Sequence, residues 1–172
     1  MHRCLGAATK SPFSPLSRVV EMNAALSDVR LLTGWLDAPS ELGAFTAKYP
    51  EAGGVVSFLG QVRAGDGVEA LELRHYAPLT LPAMKELAAR VRERWTLAGL
   101  LIVHRSGMMV PGEPIVLVAA AARHRRDAFA AADYAMDHLK SESWFWKREK
   151  AKGEWHWIEP REQDISDLAR WA

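Results

Sequence analysis

The apolar residues of this chain change their spacing several times, and this change limits the fold more than any other sequence feature. Apolar residues at every second position are typical of strands, and a 3.6-residue period is typical of helices. The strand-like segments are Val29–Leu36, Gly53–Val62, Val68–Tyr76, Gly99–His104 and Pro114–Ala122, and the helical segments are Glu41–Lys48, Pro82–Trp95 and Arg123–Glu142. With a final hairpin and a short polar helix, this order predicts an α+β fold in layers.

Two hairpins are predicted from local turn signals. The turn Gly65-Asp66-Gly67 would join Gly53–Val62 to Val68–Tyr76. Tryptophans alternate on both sides of Lys150–Gly153, which predicts the second hairpin. Ser40 is the expected N-cap of the first helix.

Composition predicts one globular domain. The 172 residues carry a net charge of +1, which does not suggest a nucleic-acid partner. The longest apolar run, Ile115–Ala122, is far shorter than the roughly 20 residues of a membrane span. Residues 1–21 are basic and contain scattered Ser and Pro, so we expect a disordered extension, a start codon upstream of Met22, or a short transit peptide. Residues 22–172 would then form the single domain.

The segment Arg123–Glu142 places Arg125, Phe129, Ala132, Met136 and Lys140 within an arc of about 80° on a helix. One interpretation is an amphipathic core helix with solvated ends. The other is an apolar floor with a cation at each end, suited to a flat anionic ligand. Periodicity alone does not choose between them.

Basic residues outside the middle of that helix could bind an anion. His124-Arg125 stands at the helix N-terminus, where N–H groups and the helix dipole favour phosphate, although a surface cluster would look the same. Lys140 and Lys147 lie close in sequence, and two neighbouring lysines lower each other's pKa, which suits a general base. Surface lysines along an aromatic strand are the alternative. Arg63 ends a strand, a common place for binding residues.

Several blocks together resemble a known family. In chain order they are Gly53-Gly-Val-Val-Ser-Phe-Leu-Gly-Gln-Val-Arg63, His75-Tyr76, Ile102-Val-His-Arg-Ser-Gly107, Pro111-Gly-Glu-Pro-Ile-Val116, His124-Arg125-x-x-Ala128-Phe129, Met136-Asp-x-Leu-Lys140 and Phe145-Trp-Lys-Arg-Glu149. From about residue 29 to 160, this pattern resembles the large, catalytic subunit of molybdopterin synthase, the MoaE family.

The resemblance implies an α/β hammerhead-type fold with an added antiparallel β subdomain, and a cytoplasmic sulfurtransferase. Each protomer of a homodimer would bind a small ubiquitin-like sulfur carrier, which completes a heterotetramer. The carrier's C-terminal Gly-Gly thiocarboxylate would deliver sulfur to cyclic pyranopterin monophosphate (precursor Z), forming the dithiolene of molybdopterin. The one cysteine, Cys4, lies outside the expected core, so sulfur would arrive on the partner. No metal, cofactor, nucleic-acid or membrane partner is expected.

The resemblance also implies roles for individual residues. Lys147 would transfer protons, and Lys140 would meet the carrier's C-terminus and the pterin. The other expected substrate contacts are Gln61, Val62, Arg63, His124, Arg125, Arg148 and Glu149, with Phe58 and Met136 as the apolar wall. His124 and Arg125 would act across the dimer interface.

The sequence departs from the family after Lys140, where Ser141-Glu142-Ser143-Trp144 replaces the usual Thr-x-x-Pro. Arg74 also replaces a glutamate, and Ala77-Pro78-Leu79 replaces Pro-Gly-Met. A non-catalytic protein that only binds the carrier is therefore one alternative, although both lysines are retained. The second alternative is a nucleic-acid-binding module, because residues 140–152 mix basic and aromatic side chains.

Overall fold

The computed structural model describes residues 27–142, 144–159 and 162–172, so the predicted extension at residues 1–21 lies outside the described residues. The strands are β1 (Ser27–Leu32), β2 (Gly54–Gln61), β3 (Val68–His75), β4 (Leu97–Arg105), β5 (Gly107–Met109), β6 (Pro114–Ala122), β7 (Phe145–Ala151) and β8 (Glu154–Ile158). The helices are α1 (Ala38–Lys48), α2 (Ala77–Arg94), α3 (Arg125–Ser141) and α4 (Glu162–Ala169). The predicted α+β class is confirmed. None of these helices is both long and apolar enough to cross a membrane.

Sheet one has the strand order β1-β4-β6-β2, with β1 parallel to β4 and the other neighbours antiparallel. Its two central strands contain unbroken buried apolar runs, Leu100–Val103 and Val116–Ala122. Such runs are expected where both faces of a sheet are covered. Helices α2 and α3 pack on one face, and α1 packs on the other. Sheet one is therefore the middle layer of three.

Sheet two is antiparallel and has the strand order β5-β3-β7-β8. The predicted hairpin of β7 and β8 is confirmed, and its turn has positive φ at Lys152 and Gly153, as a tight hairpin turn requires. Leu73 of β3 and Phe145 of β7 belong to the same core cluster as Ile102 of sheet one. The two sheets therefore meet across a shared core.

The predicted hairpin between β2 and β3 is wrong. β2 pairs with β6 in sheet one, and β3 pairs with β5 and β7 in sheet two. The turn at Gly65-Asp66-Gly67 does form, with positive φ at all three residues, but it carries the chain from one sheet to the other. A local turn signal cannot report that each strand has a partner elsewhere in the chain. Strand β5 was not predicted, because three residues are too few to show a period.

Three element boundaries also differ from the predictions. Helix α1 is capped by Asp37, not by Ser40, because the Asp37 carboxylate accepts hydrogen bonds from Ser40 N at 3.2 Å and Ser40 Oγ at 2.8 Å. Strand β1 ends before Leu36, whose fully buried side chain packs from the following loop. Helix α2 begins ahead of the predicted Pro82, since Pro78 occupies its first turn, where a missing N–H costs little.

The last residues are tied to helix α3. The Asp137 carboxylate accepts hydrogen bonds from Arg170 Nε at 3.0 Å, Arg170 Nη2 at 2.6 Å and Trp171 Nε1 at 2.6 Å. The Trp171 ring packs edge-on against Trp95 and Tyr134, with centroid distances of 5.9 and 5.3 Å. These contacts hold the segment after α4 against the helix that carries Lys140.

The packing of β4 against α1 can be tested at Gly99. A Cβ atom there would lie 2.2 Å from the ring of Tyr49, so Gly99→Ala must displace an aromatic side chain. We expect a loss of about 1–3 kcal/mol in the free energy of unfolding, measured with urea. Gly43→Ala is the matched control, because Gly43 lies in helix α1 with nothing within 4 Å, and it should stabilise by about 0.4–1 kcal/mol. Equal stability of the two variants would contradict this packing.

Candidate functional site

A cleft of about 1220 Å³ opens where the end of β2, the end of α3 and one face of sheet two meet. Eight of the eleven predicted site residues line it: Phe58, Gln61, Val62, Arg63, Met136, Lys140, Lys147 and Glu149. The other three are His124, Arg125 and Arg148. A smaller depression of about 500 Å³ around Tyr49 includes none of the eleven. The large cleft is therefore the candidate site.

Strand β7 supplies Lys147 to the cleft. Side chains alternate between the faces of a strand, so Phe145, Lys147 and Glu149 share one face. All three line the cleft, and Leu73 of β3 lies directly opposite Lys147 on the same face. Lys147 thus rises from a floor of apolar side chains.

Arg148 is on the reverse face of sheet two. Its Nε donates to the carboxylate of Glu72, and this hydrogen bond lowers the pKa of Glu72 below its ordinary value. The guanidinium also lies over the rings of Trp155 and Trp157, at 4.5 and 5.8 Å. The structure therefore does not bring Arg148 into the cleft with the other predicted residues.

Helix α3 brings Lys140 to the cleft from its last turn. Lys140 Nζ lies 3.8 Å from Asp164 Oδ1 of helix α4, and Ser141 Oγ donates to the Asp164 carbonyl at 2.7 Å. Asp164 lines the cleft but was not predicted, since nothing in the sequence of the polar C-terminal helix indicates this contact. Helix α4 thus adds a carboxylate beside one of the two lysines.

The end of β2 is held by the loop before β6. Val62 N donates to Glu113 O at 2.9 Å, and Gly112 N donates to Val62 O at 2.8 Å. Gln61 Nε2 donates to Gly112 O at 3.1 Å. Val62 is buried, whereas the next residue, Arg63, is exposed at the cleft. This clamp places a guanidinium where an anionic group could enter.

His124 and Arg125 lie at the opposite end of α3 from Lys140. Lys140 is fifteen helical steps along α3 from Arg125, which corresponds to about 22 Å. Both basic side chains are exposed, and Phe129, one turn further on, is 60% exposed. Within one protomer, neither His124 nor Arg125 can serve the same cleft as Lys140.

The five residues that were predicted to share one arc of α3 fall into two groups. Ala132 and Met136 are buried in the core, as an amphipathic core helix requires. Met136 also lines the cleft next to Lys140, as the ligand-floor interpretation requires. Both interpretations therefore describe this half of the helix, while Phe129 and Arg125 face away from the core.

His104 lines the cleft and was assigned no role from the sequence. Its ring stacks on Phe145 with a centroid distance of 4.2 Å and an angle of 14°, and its Nδ1 lies 2.8 Å from Arg105 O. The pKa of His104 is lowered to about 4, mainly by burial; the hydrogen bond to Arg105 opposes this shift, and the charge of Lys147 adds to it. The His75 ring also lies near Phe145, with a centroid distance of 6.2 Å, and its buried Nδ1 has no hydrogen-bond partner among the described residues.

Trp144, the departure from the family pattern, packs partly buried against the main core. Its backbone N donates to Glu142 O at 2.6 Å, and its carbonyl accepts from Thr80 Oγ1 at 3.3 Å. Ser143 lies outside the described residues. An indole anchored in the core thus fixes the chain just before Lys147, where the family has proline.

Within the described ranges, no three His, Cys, Asp or Glu side chains are grouped as metal ligands would be. The polar groups that line the cleft are two amines, a guanidinium, carboxylates and a neutral imidazole, next to apolar walls. This set can bind an anion and move protons.

Comparisons with known proteins agree with one another. The family model described as MoaE protein matches residues 36–142. The molybdopterin synthase catalytic subunit of Caulobacter vibrioides is 46% identical over 140 residues, which cover 78% of this chain and 93% of that protein. A molybdopterin biosynthesis MoaE protein from Burkholderia ambifaria has a TM-score of 0.72 at 40% identity, covering 84% of this chain and 97% of that chain. A complex of subunits 1 and 2 of molybdopterin-converting factor from Helicobacter pylori shares the fold, with a TM-score of 0.68 at 18% identity, covering 77% and 91%.

The buried neutral His104 should make stability depend on pH. The unfolded chain binds a proton at His104 below about pH 6.5, whereas the folded protein does so only near pH 4, so stability falls as pH falls between these values. Urea unfolding of wild type and His104→Gln at pH 7 and pH 4.5 isolates this contribution. Wild type should lose about 2–3 kcal/mol more than the variant on acidification. An identical loss in both proteins would contradict the lowered pKa of His104.

Proposed function

The chain belongs to the MoaE family, and we propose on that premise that its large cleft is where sulfur is transferred. Its activity is that of a molybdopterin synthase catalytic subunit, a sulfur-transferring enzyme of molybdenum cofactor biosynthesis. The observation that carries the proposal is the meeting of Lys147 from β7 and Lys140 from α3 in one cleft. Lys140 is in the last turn of α3 and Lys147 is in the strand that follows it, and the two side chains line the same cleft.

The substrate proposed for this cleft is cyclic pyranopterin monophosphate. Phe58 and Met136 offer apolar walls to a flat ring system, and Arg63 offers a fork-shaped donor to the phosphate. Gln61 and Glu149 add polar groups that can hydrogen-bond the pterin edge. A ring with one anionic end fits a cleft that offers both apolar walls and basic side chains.

The sulfur donor proposed is the C-terminal thiocarboxylate of a small ubiquitin-like carrier. The solved complex of the two subunits of a molybdopterin-converting factor supports a small-subunit partner for this fold. A Gly-Gly terminus has no side chains and can extend into a narrow cleft. Lys140 stands where it can meet that anionic terminus, beside Asp164.

In this proposal Lys147 moves protons. The thiocarboxylate sulfur forms a bond to a carbon of the pterin side chain, and the cyclic phosphate opens as its C–O bond breaks. Water then hydrolyses the resulting thioester, which leaves the sulfur on the pterin and releases the carrier with a C-terminal carboxylate. A lysine between apolar side chains can take a proton from one group and return it to another. Two carriers, used in turn, supply the two sulfur atoms of the dithiolene.

His124 and Arg125 are proposed to complete the cleft of a second protomer. They lie about 22 Å along α3 from Lys140, so a contribution to catalysis requires a partner chain. The exposed Phe129 beside them supports a contact surface there. A homodimer with two carriers gives the heterotetramer, for which we propose a cytoplasmic location.

The two alternative functions receive less support. A non-catalytic carrier-binding protein would not need both lysines at one cleft. The basic and aromatic run at residues 140–152 is not a single surface, since Lys147 faces the cleft and Arg148 and Lys150 face the reverse side. There they pair with Glu72 and Glu69, which reduces the charge offered to a nucleic acid.

Single-turnover conversion of precursor Z with a thiocarboxylated carrier tests the assignment of the lysines. Lys147→Ala should slow product formation by roughly 100-fold or more, the range for loss of general acid–base catalysis. Lys140→Ala should weaken carrier binding as well as turnover. Lys150→Ala is the matched control, because Lys150 lies on the same strand, pairs with Glu69 at 3.0 Å on the reverse face, and should have little effect.

Wild-type protein that binds the carrier but forms no product would overturn the catalytic role in favour of the non-catalytic alternative. Equal effects of Lys147→Ala and Lys150→Ala would instead move the site away from this cleft.

A further inference from the structure

In β4, a histidine occupies a position where the alternation of buried side chains predicts an apolar residue. Leu100, Ile102 and His104 are on the same face of this central strand, and the first two are fully buried in the main core. His104 is 6% exposed and is the residue of these three that lines the cleft. Burying an imidazole costs stability unless its polar atoms are used. The position of His104 therefore indicates that its imidazole has a function at the cleft.

The His104 ring is held in one orientation. A carbonyl oxygen can only accept, so Nδ1 donates its proton to Arg105 O, and Nε2 is left with a lone pair. The stack on Phe145 fixes the plane of the ring. Nε2 lies on the part of the ring remote from its own backbone. His104 is thus a neutral hydrogen-bond acceptor of fixed direction.

Lys147 of strand β7 is a charged group close to this acceptor. Phe145 and Lys147 are two residues apart on the same face of the strand, a distance of about 7 Å, and His104 stacks on Phe145. His104 and Lys147 line the same cleft. The charge of Lys147 is also one of the causes that lower the pKa of His104, which agrees with their closeness.

We propose that His104 is a positioning residue, whose neutral Nε2 accepts a hydrogen bond from the Lys147 ammonium and directs that amine toward the substrate. This rests on the proposed proton-transfer role of Lys147. A neutral acceptor orients the amine without supplying a negative charge that would retain its proton. The amine can therefore give up a proton and take it back while it stays in place.

The test compares His104→Asn with His104→Gln. Asn places an amide near the position of Nδ1 and can still donate to Arg105 O, but it has no polar atom at the position of Nε2. Gln places its amide near the position of Nε2, where its oxygen can accept from Lys147. The two variants are otherwise closely matched in chemistry, and urea unfolding of both shows whether each is folded.

Steady-state turnover of precursor Z with the thiocarboxylated carrier is measured for both variants and for Lys147→Ala. His104→Asn should lower kcat by roughly 10- to 100-fold with KM changed by less than about 3-fold, the size expected for a misplaced catalytic group. His104→Gln should recover most of that loss. A folded His104→Asn with the kcat of wild type, or equal kcat losses in Asn and Gln, would overturn the proposal. An active Lys147→Ala would instead overturn the proposed function on which it rests.

Discussion

The pairing of β4 with β6 is the interaction on which the rest of the structure depends. Both strands are apolar along almost their whole length, and their buried runs lie in register across sheet one. A strand with two apolar faces must be covered on both, so α1 is required on one side and α2 with α3 on the other. The edge strands β1 and β2 complete the sheet and carry the polar residues that reach its ends.

The cleft follows from where these elements end. The penultimate residue of β4 is the buried His104, and the penultimate residue of α3 is Lys140. Strand β2 leads into a loop clamped by Gly112 and Glu113. Sheet two closes the remaining side through Leu73 and Phe145, which belong to the same core. Charged groups are thus presented at the rim of a packed core, next to apolar walls.

Periodicity predicted the elements that a residue pattern can specify and missed those that depend on distant partners. The buried runs of β4 and β6, the long helix α3 and the β7–β8 hairpin were all predicted, because each carries its own period or turn. The pairing of β2 with β6 was not predicted. The turn at residues 65–67 can be recognised from the local sequence, whereas β6 lies far along the chain. Asp164 and His104 were missed for the same reason, because their contacts with Lys140 and Phe145, respectively, exist only in the folded chain.

The family resemblance predicted most of the residues that line the cleft, but it did not predict which of the site residues lie together within one chain. Two lysines meet in one protomer, whereas Arg148 faces away and Arg125 lies at the far end of α3. A helix of this length cannot bring both of its ends to one cleft. The separation is therefore a physical reason to expect that each complete site uses two chains, with the lysines from one and the helix start from the other.

The most direct test of this account is the activity of mixed dimers. Lys147→Ala and Arg125→Ala protomers are each expected to be inactive alone. After subunit exchange, half of the dimers are mixed and each has one complete site, so roughly a quarter of wild-type turnover should return. A mixture of Lys147→Ala with Lys140→Ala should stay inactive, because those residues act in the same cleft. Recovery in the second mixture, or none in the first when exchange is verified, would contradict a cleft built from two chains.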